Sequence, residues 1–326
     1  MKKKIVVVGC GNIGFRHFQS LLKIISSANL WIIENSLTRI DEIKDLVNLK
    51  DKYKNNVIYS NKLSVLPKKI DFLIIATNSK ERLNVLKKII NYSSIKFLLF
   101  EKFLFPKVSH YSDANKILKK NNIRSWVHTP VQDFPFFKFI INKLRKEKEF
   151  KIFIKGPEKN IGCNSIHYLS VYKEIIQNKE FKVNIAGLDK KIVNSKRKGY
   201  IEFNGNIIFS SLDKKRILYV DYPYGKKRNY FSTEIFFKNN KIIYNELSGK
   251  CRIIDLKRKK KEKTEMFKIP YVSNSTYGYV NQILKTGNCS LPRFSESALI
   301  HKKLLINFLK HINKNSKKKY NSCLIT

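Results

Sequence analysis

The first third of the chain alternates short apolar runs with amphipathic segments. Continuous apolar runs of strand length occur at Ile5–Val8, Leu30–Ile33, Val57–Tyr59, Ile70–Ala76 and Ile95–Phe100. Segments with helical periodicity lie between and after them, at Ile13–Ile25, Arg39–Leu49, Lys80–Ile90 and Ser109–Lys120. Apolar strands without alternation, separated by helices, are typical of a parallel sheet that is covered on both faces. The pattern therefore predicts an α/β domain with a doubly wound parallel sheet.

The pattern changes after about residue 125. A strand is predicted at Phe150–Ile154 and a helix at Ser165–Ile176, and a last amphipathic helix at Ser295–Ile312. Between the helices, turn signals separate several β-rich runs. These runs are Val183–Leu188, Gly199–Phe203, Ile207–Leu212, Ile217–Tyr222, Phe231–Phe237, Lys241–Asn245 and Cys251–Leu256. We expect an α+β domain with a large, mostly antiparallel open sheet.

The first apolar run leads directly into a glycine motif, Gly9-Cys10-Gly11-Asn12-Ile13-Gly14. Gly9 permits a tight turn from strand to helix, Gly11 lets a phosphate approach the backbone, and Gly14 lets the helix lie close to the strand. The first helical turn presents unpaired N–H groups that favour an anion. The motif therefore predicts a pyrophosphate-binding helix N-terminus.

Glu34 closes the second apolar run, twenty positions after Gly14. A carboxylate at this distance is placed to accept hydrogen bonds from an adenosine ribose. A glycine turn in another kind of α/β protein is the alternative, but it leaves Glu34 unexplained. The carboxylate also repels a 2′-phosphate, so NAD is the expected cofactor rather than NADP.

Glu101 and Lys102 follow the apolar run Ile95–Phe100. Ligands of doubly wound sheets sit at the carboxyl ends of the strands, so both residues are expected beside the nicotinamide. The Lys102 ammonium can hydrogen-bond a substrate hydroxyl or carbonyl and can relay a proton. The alternative is an exposed lysine in a lysine-rich protein.

Composition changes the picture in one respect, the net charge of +41 in 326 residues. Such a charge suggests nucleic acid or an anionic surface. The excess is mostly lysine spread over nearly every segment, whereas nucleic-acid readers concentrate arginine and aromatic residues on one element. We therefore expect no nucleic-acid partner, and a field that attracts anionic ligands such as a dinucleotide or a nucleotide-sugar.

Cysteine usage and hydropathy indicate the compartment. The five cysteines show no metal-binding spacing, and no apolar run reaches the roughly 18 residues of a membrane span. Met1–Cys10 is similar to a lipoprotein signal, but its apolar run is too short. Cys323 near the end mimics a prenylation box, with an unusual last residue. A cytoplasmic protein without a membrane partner is expected.

With these residues the chain resembles the Gfo/Idh/MocA family, the group of glucose–fructose oxidoreductase and inositol dehydrogenase. Val8–His17 is very similar to the family's first motif, and Glu34 and Arg39 fall where that family often has an acid and an arginine near the adenosine. Ala76-Thr77-Asn78 resembles the loop that lies against the nicotinamide ribose. Glu101-Lys102 is similar to the E-K-P signature, whose lysine is catalytic in the family. The resemblance covers essentially the whole chain.

The chain departs from the family pattern at three positions. Phe103 stands where the E-K-P signature has proline, and Asn160 and Asn164 stand where many members have a D-x-x-x-H pair. The segment with Asn164, Ser165 and His167 instead resembles a subgroup with an N-S-x-H motif, linked to cell-surface polysaccharide biosynthesis. His167 would then exchange the substrate proton, and Asn164 would orient the substrate. The alternative for His167 is a helix histidine satisfied by a carbonyl.

The resemblance implies an NAD(P)-dependent oxidoreductase that transfers hydride between nicotinamide and a secondary alcohol or ketone of a sugar or nucleotide-sugar. The alternative is a degenerate dinucleotide-binding member with a regulatory or structural role and no turnover. Related proteins pair their open sheets, so a homodimer or homotetramer is expected. We expect a dinucleotide-binding Rossmann domain at 1–124, a substrate and oligomerisation domain at 125–313 and a basic flexible tail at 314–326.

Overall fold

The computed structural model describes residues 1–47, 49–177, 179–226, 231–258 and 262–325. The chain divides into two compact units. The first unit consists of Met1–Phe105, Ser109–His128 and Pro270–Ala298. The second unit consists of Pro106–Val108, Thr129–Ile269 and Leu299–Thr326. The first unit therefore ends its N-terminal part at 128 rather than at 124, and it includes a later segment that the sequence pattern did not associate with it.

The strands and helices follow the alternation in the sequence. The strands are β1 (Lys3–Val8), β2 (Ala28–Ile33), β3 (Val57–Ser60), β4 (Lys69–Ile75), β5 (Ser94–Glu101), β6 (Arg124–His128), β7 (Phe150–Lys155), β8 (Phe181–Asn184), β9 (Val193–Asn194), β10 (Ile201–Glu202), β11 (Gly205–Ser211), β12 (Arg216–Tyr222), β13 (Ser232–Phe237), β14 (Asn240–Asn245), β15 (Lys250–Asp255) and β16 (Glu262–Met266). The helices are α1 (Asn12–Leu21), α2 (Leu37–Leu46), α3 (Asp51–Lys54), α4 (Arg82–Ile90), α5 (Ser109–Lys120), α6 (Pro135–Leu144), α7 (Ile161–Ile175), α8 (Val272–Thr286) and α9 (Phe294–Lys314). Short 3-10 turns lie at Leu22–Ile24, Leu63–Val65 and Pro130–Asp133.

The first unit is built on a six-stranded sheet in the order β3-β2-β1-β4-β5-β6. Every neighbouring pair in it is parallel. This is the strand order of a doubly wound dinucleotide-binding sheet, and it confirms the predicted fold class. The apolar residues of β1 and β4 are buried because helices cover both faces, which explains their unbroken apolar runs.

Besides the short helix α3, two elements of the first unit escaped the sequence pattern. The first is β6, whose central Trp126 and Val127 lie between polar residues but are fully buried. They are covered by the later segment, since the Val127 N–H donates to the Pro292 carbonyl at 3.1 Å. The second is α8, which packs against α1. Its sequence is rich in Ser, Asn, Tyr and Gly, which are weak helix formers.

The second unit is built on an eight-stranded sheet in the order β16-β15-β14-β13-β7-β12-β11-β8. Only the β7–β12 pair is parallel among the pairs between described residues, and the others are antiparallel. This confirms the predicted large, mostly antiparallel sheet. Helix α7 packs on β11 and β12 and covers one face. The lysine-rich run Lys257–Lys263 lies at the connection from β15 to β16, and its residues 259–261 lie outside the described residues.

The C-terminal segment differs from the flexible tail that its composition suggested. Cys323 and Ile325 are fully buried in the second unit, whereas Thr326 lies outside the described residues. The Cys323 N–H donates to the Pro106 carbonyl at 2.9 Å, and the Ile201 N–H donates to the Leu324 carbonyl at 2.9 Å. Burial of two apolar side chains stabilises this segment despite the lysines before it. Within the described part of the chain, no helix has the length and hydropathy needed to cross a membrane.

Candidate active site

The glycine motif forms the turn between β1 and α1. Gly9 has a φ of +84°, and a Cβ there would lie 2.7 Å from the backbone nitrogen of Thr77. A Cβ on Gly14 would lie only 1.8 Å from the carbonyl oxygen of Gly9. Both positions therefore require glycine, one for its backbone conformation and the other for the close approach of helix to strand.

The N-terminus of α1 is open. Gly11 is its N-cap, no side chain caps the helix, and the first turn holds no acidic residue. A Cβ on Gly11 would meet nothing within 4 Å, and Asn12 and Ile13 are exposed. The unpaired N–H groups and the positive end of the helix dipole therefore face open space, an arrangement that fits a pyrophosphate.

Glu34 and Arg39 both bind the backbone of Cys10 inside the glycine loop. The Glu34 carboxylate accepts the Cys10 N–H at 2.7 Å, and the Arg39 Nε donates to the Cys10 carbonyl at 3.2 Å. Glu34 is half-buried, and its second oxygen accepts the Ser36 N–H at 3.3 Å. Carboxylate oxygens accept more than one hydrogen bond each, so these contacts are compatible with a ribose at the same carboxylate. Burial, followed by the Glu34 charge, raises the pKa of the Cys10 thiol to about 12, so it stays protonated.

Ala76-Thr77-Asn78 forms the loop after β4, beside the glycine turn. The Ala76 N–H donates to the Val8 carbonyl at 2.8 Å. The Thr77 hydroxyl is buried and has no hydrogen-bond partner among the described residues. A buried polar atom without a partner is costly, and a ligand hydroxyl would satisfy it. The Asn78 side chain accepts the Glu81 N–H at 3.1 Å.

Arg82 is a structural residue that the sequence reasoning missed. It is 1% exposed at the start of α4 and donates to the carbonyl oxygens of Thr77, Phe103 and Leu104. It therefore joins the Ala76–Asn78 loop to the segment that follows Lys102. A lone arginine at a helix start gives no signal of this role in the sequence.

Glu101 and Lys102 lie at the carboxyl end of β5, on the edge of the sheet where the glycine turn also lies. Lys102 is half-buried, and the peptide bond from Lys102 to Phe103 is cis. Glu101 is buried and accepts hydrogen bonds from two histidine rings, His17 Nε2 at 2.9 Å and His128 Nδ1 at 2.5 Å. Its second carboxylate oxygen accepts the Lys102 N–H at 3.2 Å.

Three histidines on helices, His17, His301 and His311, are buried. For His17 a signal existed, because Gly14, Phe18 and Leu21 lie three or four positions away and form the buried face of α1. Burial lowers the pKa of His17, and the hydrogen bond to Glu101 opposes that shift.

Asn164 and His167 lie on α7 in the second unit, whereas Lys102 lies in the first. The helix begins at Ile161, not at the expected Ser165, so Asn164 lies within its first turn. Residues three apart lie on one helix face, and both side chains are half-buried. The earlier start follows from Glu202, whose carboxylate accepts the N–H groups of Gly162 and Cys163 at 2.8 and 2.9 Å.

Two carboxyl groups that the sequence did not single out lie near α7. Burial raises the pKa of Glu202 to about 7, and burial likewise raises the pKa of Glu246 to about 7. Tyr168, which follows His167, faces both Glu246 and Tyr222. The hydroxyls of Tyr222 and Tyr168 lie 3.3 Å apart. The second unit thus holds Tyr168 on the same helix as Asn164 and His167, and the two carboxyl groups lie outside this helix.

No family model and no curated protein matches the chain. Solved structures do match over nearly its full length. UDP-N-acetylglucosamine 3-dehydrogenase GnnA from Acidithiobacillus ferrooxidans is 10% identical, with 95% of this chain and 97% of that one covered and a TM-score of 0.68. An oxidoreductase from Agrobacterium radiobacter in complex with NAD+, L-tartaric acid and magnesium is 13% identical, with 93% and 94% covered and a TM-score of 0.70.

These neighbours are oxidoreductases of the Gfo/Idh/MocA type. The chain has the Gfo/Idh/MocA fold. The transcriptional regulator Gal80p from Kluyveromyces lactis shares it too, at 13% identity, with 99% of this chain and 95% of that one covered and a TM-score of 0.69. At such identities the likeness establishes the fold and leaves activity to the residues of this chain.

Proposed function

We propose that the protein is an NAD-dependent oxidoreductase that transfers hydride between nicotinamide and a secondary alcohol or ketone of a sugar or nucleotide-sugar. One observation carries the proposal. The open N-terminus of α1 and the half-buried Lys102 lie at the same edge of one parallel sheet. This is the edge at which doubly wound sheets bind dinucleotides.

The cofactor would be held by residues of the first unit. We propose Gly9, Gly11, Asn12, Ile13 and Gly14 at the pyrophosphate, Glu34 and Arg39 at the adenosine, and Ala76, Thr77, Asn78, Glu101 and Lys102 at the nicotinamide end. The bound nicotinamide supplies or accepts the hydride. NAD is favoured because the Glu34 carboxylate, fixed on the Cys10 N–H at 2.7 Å, repels a 2′-phosphate.

Lys102 is the proposed catalytic group. Its ammonium would hydrogen-bond the substrate oxygen and stabilise the negative charge that develops as hydride is transferred. His167 would exchange the proton, directly or through water, and Asn164 would orient the substrate. Their spacing of one helical turn on α7 supports a shared role for these two.

A nucleotide-sugar is the favoured substrate class. The neighbour GnnA acts on UDP-N-acetylglucosamine by its name, and the net charge of +41 attracts an anionic substrate. A cytoplasmic enzyme that acts on precursors of cell-surface polysaccharides is consistent with both observations.

The first test is a fluorescence titration with NADH and NADPH. We expect NADH to bind more tightly, and Glu34→Ala to weaken NADH by about tenfold or more through loss of hydrogen bonds to a charged group. Asp45→Ala is the matched control, because it removes an exposed carboxylate from α2. The assignment of Glu34 would be contradicted if NADH and NADPH bound equally tightly and Glu34→Ala changed neither affinity.

The second test concerns Lys102. Once a sugar substrate is found, Lys102→Ala should reduce turnover by at least about 100-fold, the scale of acid–base catalysis, while NADH binding persists. Lys96→Ala, an exposed lysine on the same strand, is the control. Turnover at the normal rate in Lys102→Ala would refute the catalytic assignment.

A second candidate function is a dinucleotide-binding regulator without turnover. Three observations favour this candidate. Asn160 and Asn164 stand at the acid/base positions, Phe103 follows Lys102, and the regulator Gal80p shares the fold. NADH binding with no turnover across a panel of UDP-sugars, other sugars and hydroxy acids would favour this candidate. Measurable turnover on any of them would eliminate it.

We also propose a homodimer or homotetramer formed through the eight-stranded sheet. On the face opposite the buried Ile152, the half-buried rings of Phe153, Tyr219 and Phe236 cluster with centroids 5.8 and 5.9 Å apart. A second copy would cover this face. Sedimentation velocity at micromolar protein should show a dimer or larger species, and a monomer would contradict it.

A further inference from the structure

Three buried side chains from separate elements meet in the first unit. His17 of α1, Glu101 at the end of β5 and His128 at the end of β6 are 0%, 5% and 3% exposed. Their ligating atoms lie within 4.8 Å of one another. The strand register sets Glu101 directly opposite His128, and α1 brings His17 to the same carboxylate. The cluster therefore is a product of the fold, not of sequence proximity.

The separations between these atoms indicate shared protons rather than a shared metal ion. The distances from Glu101 Oε1 to His128 Nδ1 and His17 Nε2 are 2.5 and 2.9 Å. Two ligands of one tetrahedral zinc ion are about 3.3 Å apart, given bonds of about 2.0–2.1 Å. Both contacts are shorter than that, and the His17 contact of 2.9 Å matches a charge-assisted hydrogen bond.

The hydrogen-bond pattern assigns the donors. An ionised carboxylate only accepts, so both histidines donate to Glu101 Oε1. His17 Nδ1 lies 2.8 Å from the Thr276 hydroxyl of α8, which itself donates to the Val272 carbonyl at 3.1 Å. Burial opposes ionisation of Glu101, but the charge and hydrogen bonds of the two histidines bring its pKa well below its ordinary value. Burial lowers the pKa of His17, and the hydrogen bond to Glu101 and its charge oppose that shift.

The same carboxylate also holds the backbone beside the proposed catalytic group. Glu101 Oε2 accepts the Lys102 N–H at 3.2 Å. Through His17, this carboxylate is tied to α1, whose N-terminus begins at the glycine turn. A path of hydrogen bonds therefore runs from the proposed pyrophosphate helix to the backbone of Lys102.

We propose that Glu101 and His17 are positioning residues that couple the dinucleotide-binding helix to the placement of Lys102. The inference rests on the proposed function, because it gives Lys102 its role. Helix α1 holds His17, His17 holds Glu101, and Glu101 holds the Lys102 N–H, so a dinucleotide that fixes α1 also fixes Lys102. Neither residue contacts the reacting atoms in this scheme.

The test is competitive acylation of lysines in the full-length protein, read peptide by peptide with and without NADH. Lys96, exposed on β5, is the internal reference. In the wild type, NADH should slow acylation of Lys102 relative to Lys96 by about tenfold, which corresponds to about 1.4 kcal/mol. In Glu101→Gln and His17→Leu, each measured at an NADH concentration that saturates that variant, this protection should fall to about twofold or less.

His17→Gln is the matched variant, because its amide can replace the Nε2 donor, whereas leucine has none. Protection should persist in His17→Gln and disappear in His17→Leu, with both variants folded by circular dichroism. Loss of protection in both variants would reduce His17 to a packing role and overturn the proposal. Unchanged protection in His17→Leu and Glu101→Gln would also overturn it.

Two further outcomes separate the causes of failure. If wild-type protein does not bind NADH, or binds it without protecting Lys102, the proposed function fails and the coupling with it. If NADH protects Lys102 in the wild type and in every variant, only the coupling fails. One equivalent of zinc retained by the purified wild type and lost in Glu101→Gln would replace the proton network with a metal site and overturn the inference.

Discussion

Two buried carboxyl groups respond to burial in opposite ways. Glu101 in the first unit is 5% exposed and meets two histidine rings, and their charge and hydrogen bonds outweigh burial and lower its pKa. Glu202 in the second unit is 2% exposed and meets backbone N–H groups of Gly162, Cys163 and Phe203. There burial outweighs the N–H groups and raises the pKa to about 7.

The difference shows which partners keep a buried carboxylate ionised. Backbone dipoles carry only partial charges, whereas an imidazole can accept a proton and become a full cation. Glu101 is therefore suited to a fixed negative charge, and Glu202 to a carboxylic acid that is neutral below its pKa of about 7. The two groups should consequently give opposite pH dependences of stability.

The largest expected effect on stability comes from a substitution in the cluster of His17, Glu101 and His128. Glu101→Leu leaves His17 and His128 buried without their shared acceptor, and we expect a loss of about 3–5 kcal/mol in the free energy of unfolding. Urea denaturation at pH 7 measures it. The control is Glu149→Leu at an exposed position, where a change within about 0.5 kcal/mol is expected. A loss of less than about 1 kcal/mol in the free energy of unfolding of Glu101→Leu would contradict a buried, ionised Glu101 carboxylate that is hydrogen-bonded to both histidines.

The next largest effect is the pH dependence of stability that Glu202 contributes. The folded pKa of Glu202 lies above its ordinary value of 4.5, so the folded state binds this proton more tightly. The stability that Glu202 contributes is fully present below about pH 4.5 and is lost as the pH rises through about 7. The free energy of unfolding should fall by about 3 kcal/mol over this range. Urea denaturation of wild type and Glu202→Gln at pH 5 and pH 8 tests this.

The Gln variant should lack that loss, because its amide does not ionise, while its oxygen still accepts the N–H groups of Gly162 and Phe203. Glu180→Gln, at an exposed position, should retain the wild-type pH dependence. The same pH dependence in Glu202→Gln as in wild type would assign the proton to another group.

The smallest expected effect is the pH dependence of stability that His17 contributes, and its sign is opposite to that of Glu202. Burial lowers its pKa from 6.5, so the folded state disfavours the protonated ring. The stability that the neutral ring contributes is present above about pH 6.5 and is lost as the pH falls below it. His17→Gln should therefore lose less stability than wild type between pH 7 and pH 5.5, measured by urea denaturation. An identical loss in both proteins would contradict the lowered pKa of His17.

The fold was predictable wherever the apolar pattern was continuous. The strands β1, β2, β4 and β5 and the helix α5 emerge from the sequence because every apolar residue in them faces a core. The strand β6 and the helix α8 do not, since each depends on a segment far away in sequence. Trp126 pairs with Arg293, and α8 packs on α1. No local pattern records such partners.

The candidate site divides in the same way. The glycine turn and Glu34 were predictable, because each residue there has a local reason for its position. Arg82 and His128 were missed as parts of the site region, since their partners are backbone carbonyls and a carboxylate contributed by other elements. The start of α7 was misplaced by four residues, because Glu202, far along the chain, binds its first N–H groups.

The sequence by itself determined the doubly wound sheet, the glycine turn and the strand end that carries Lys102. The reason is that strand and helix periodicity and the conformational freedom of glycine act within a few residues. Tertiary structure alone decided the ionisation of Glu101 and Glu202, the burial of His17 and the anchoring of Cys323. Burial and charge partners are properties of space, and elements distant in sequence supply them.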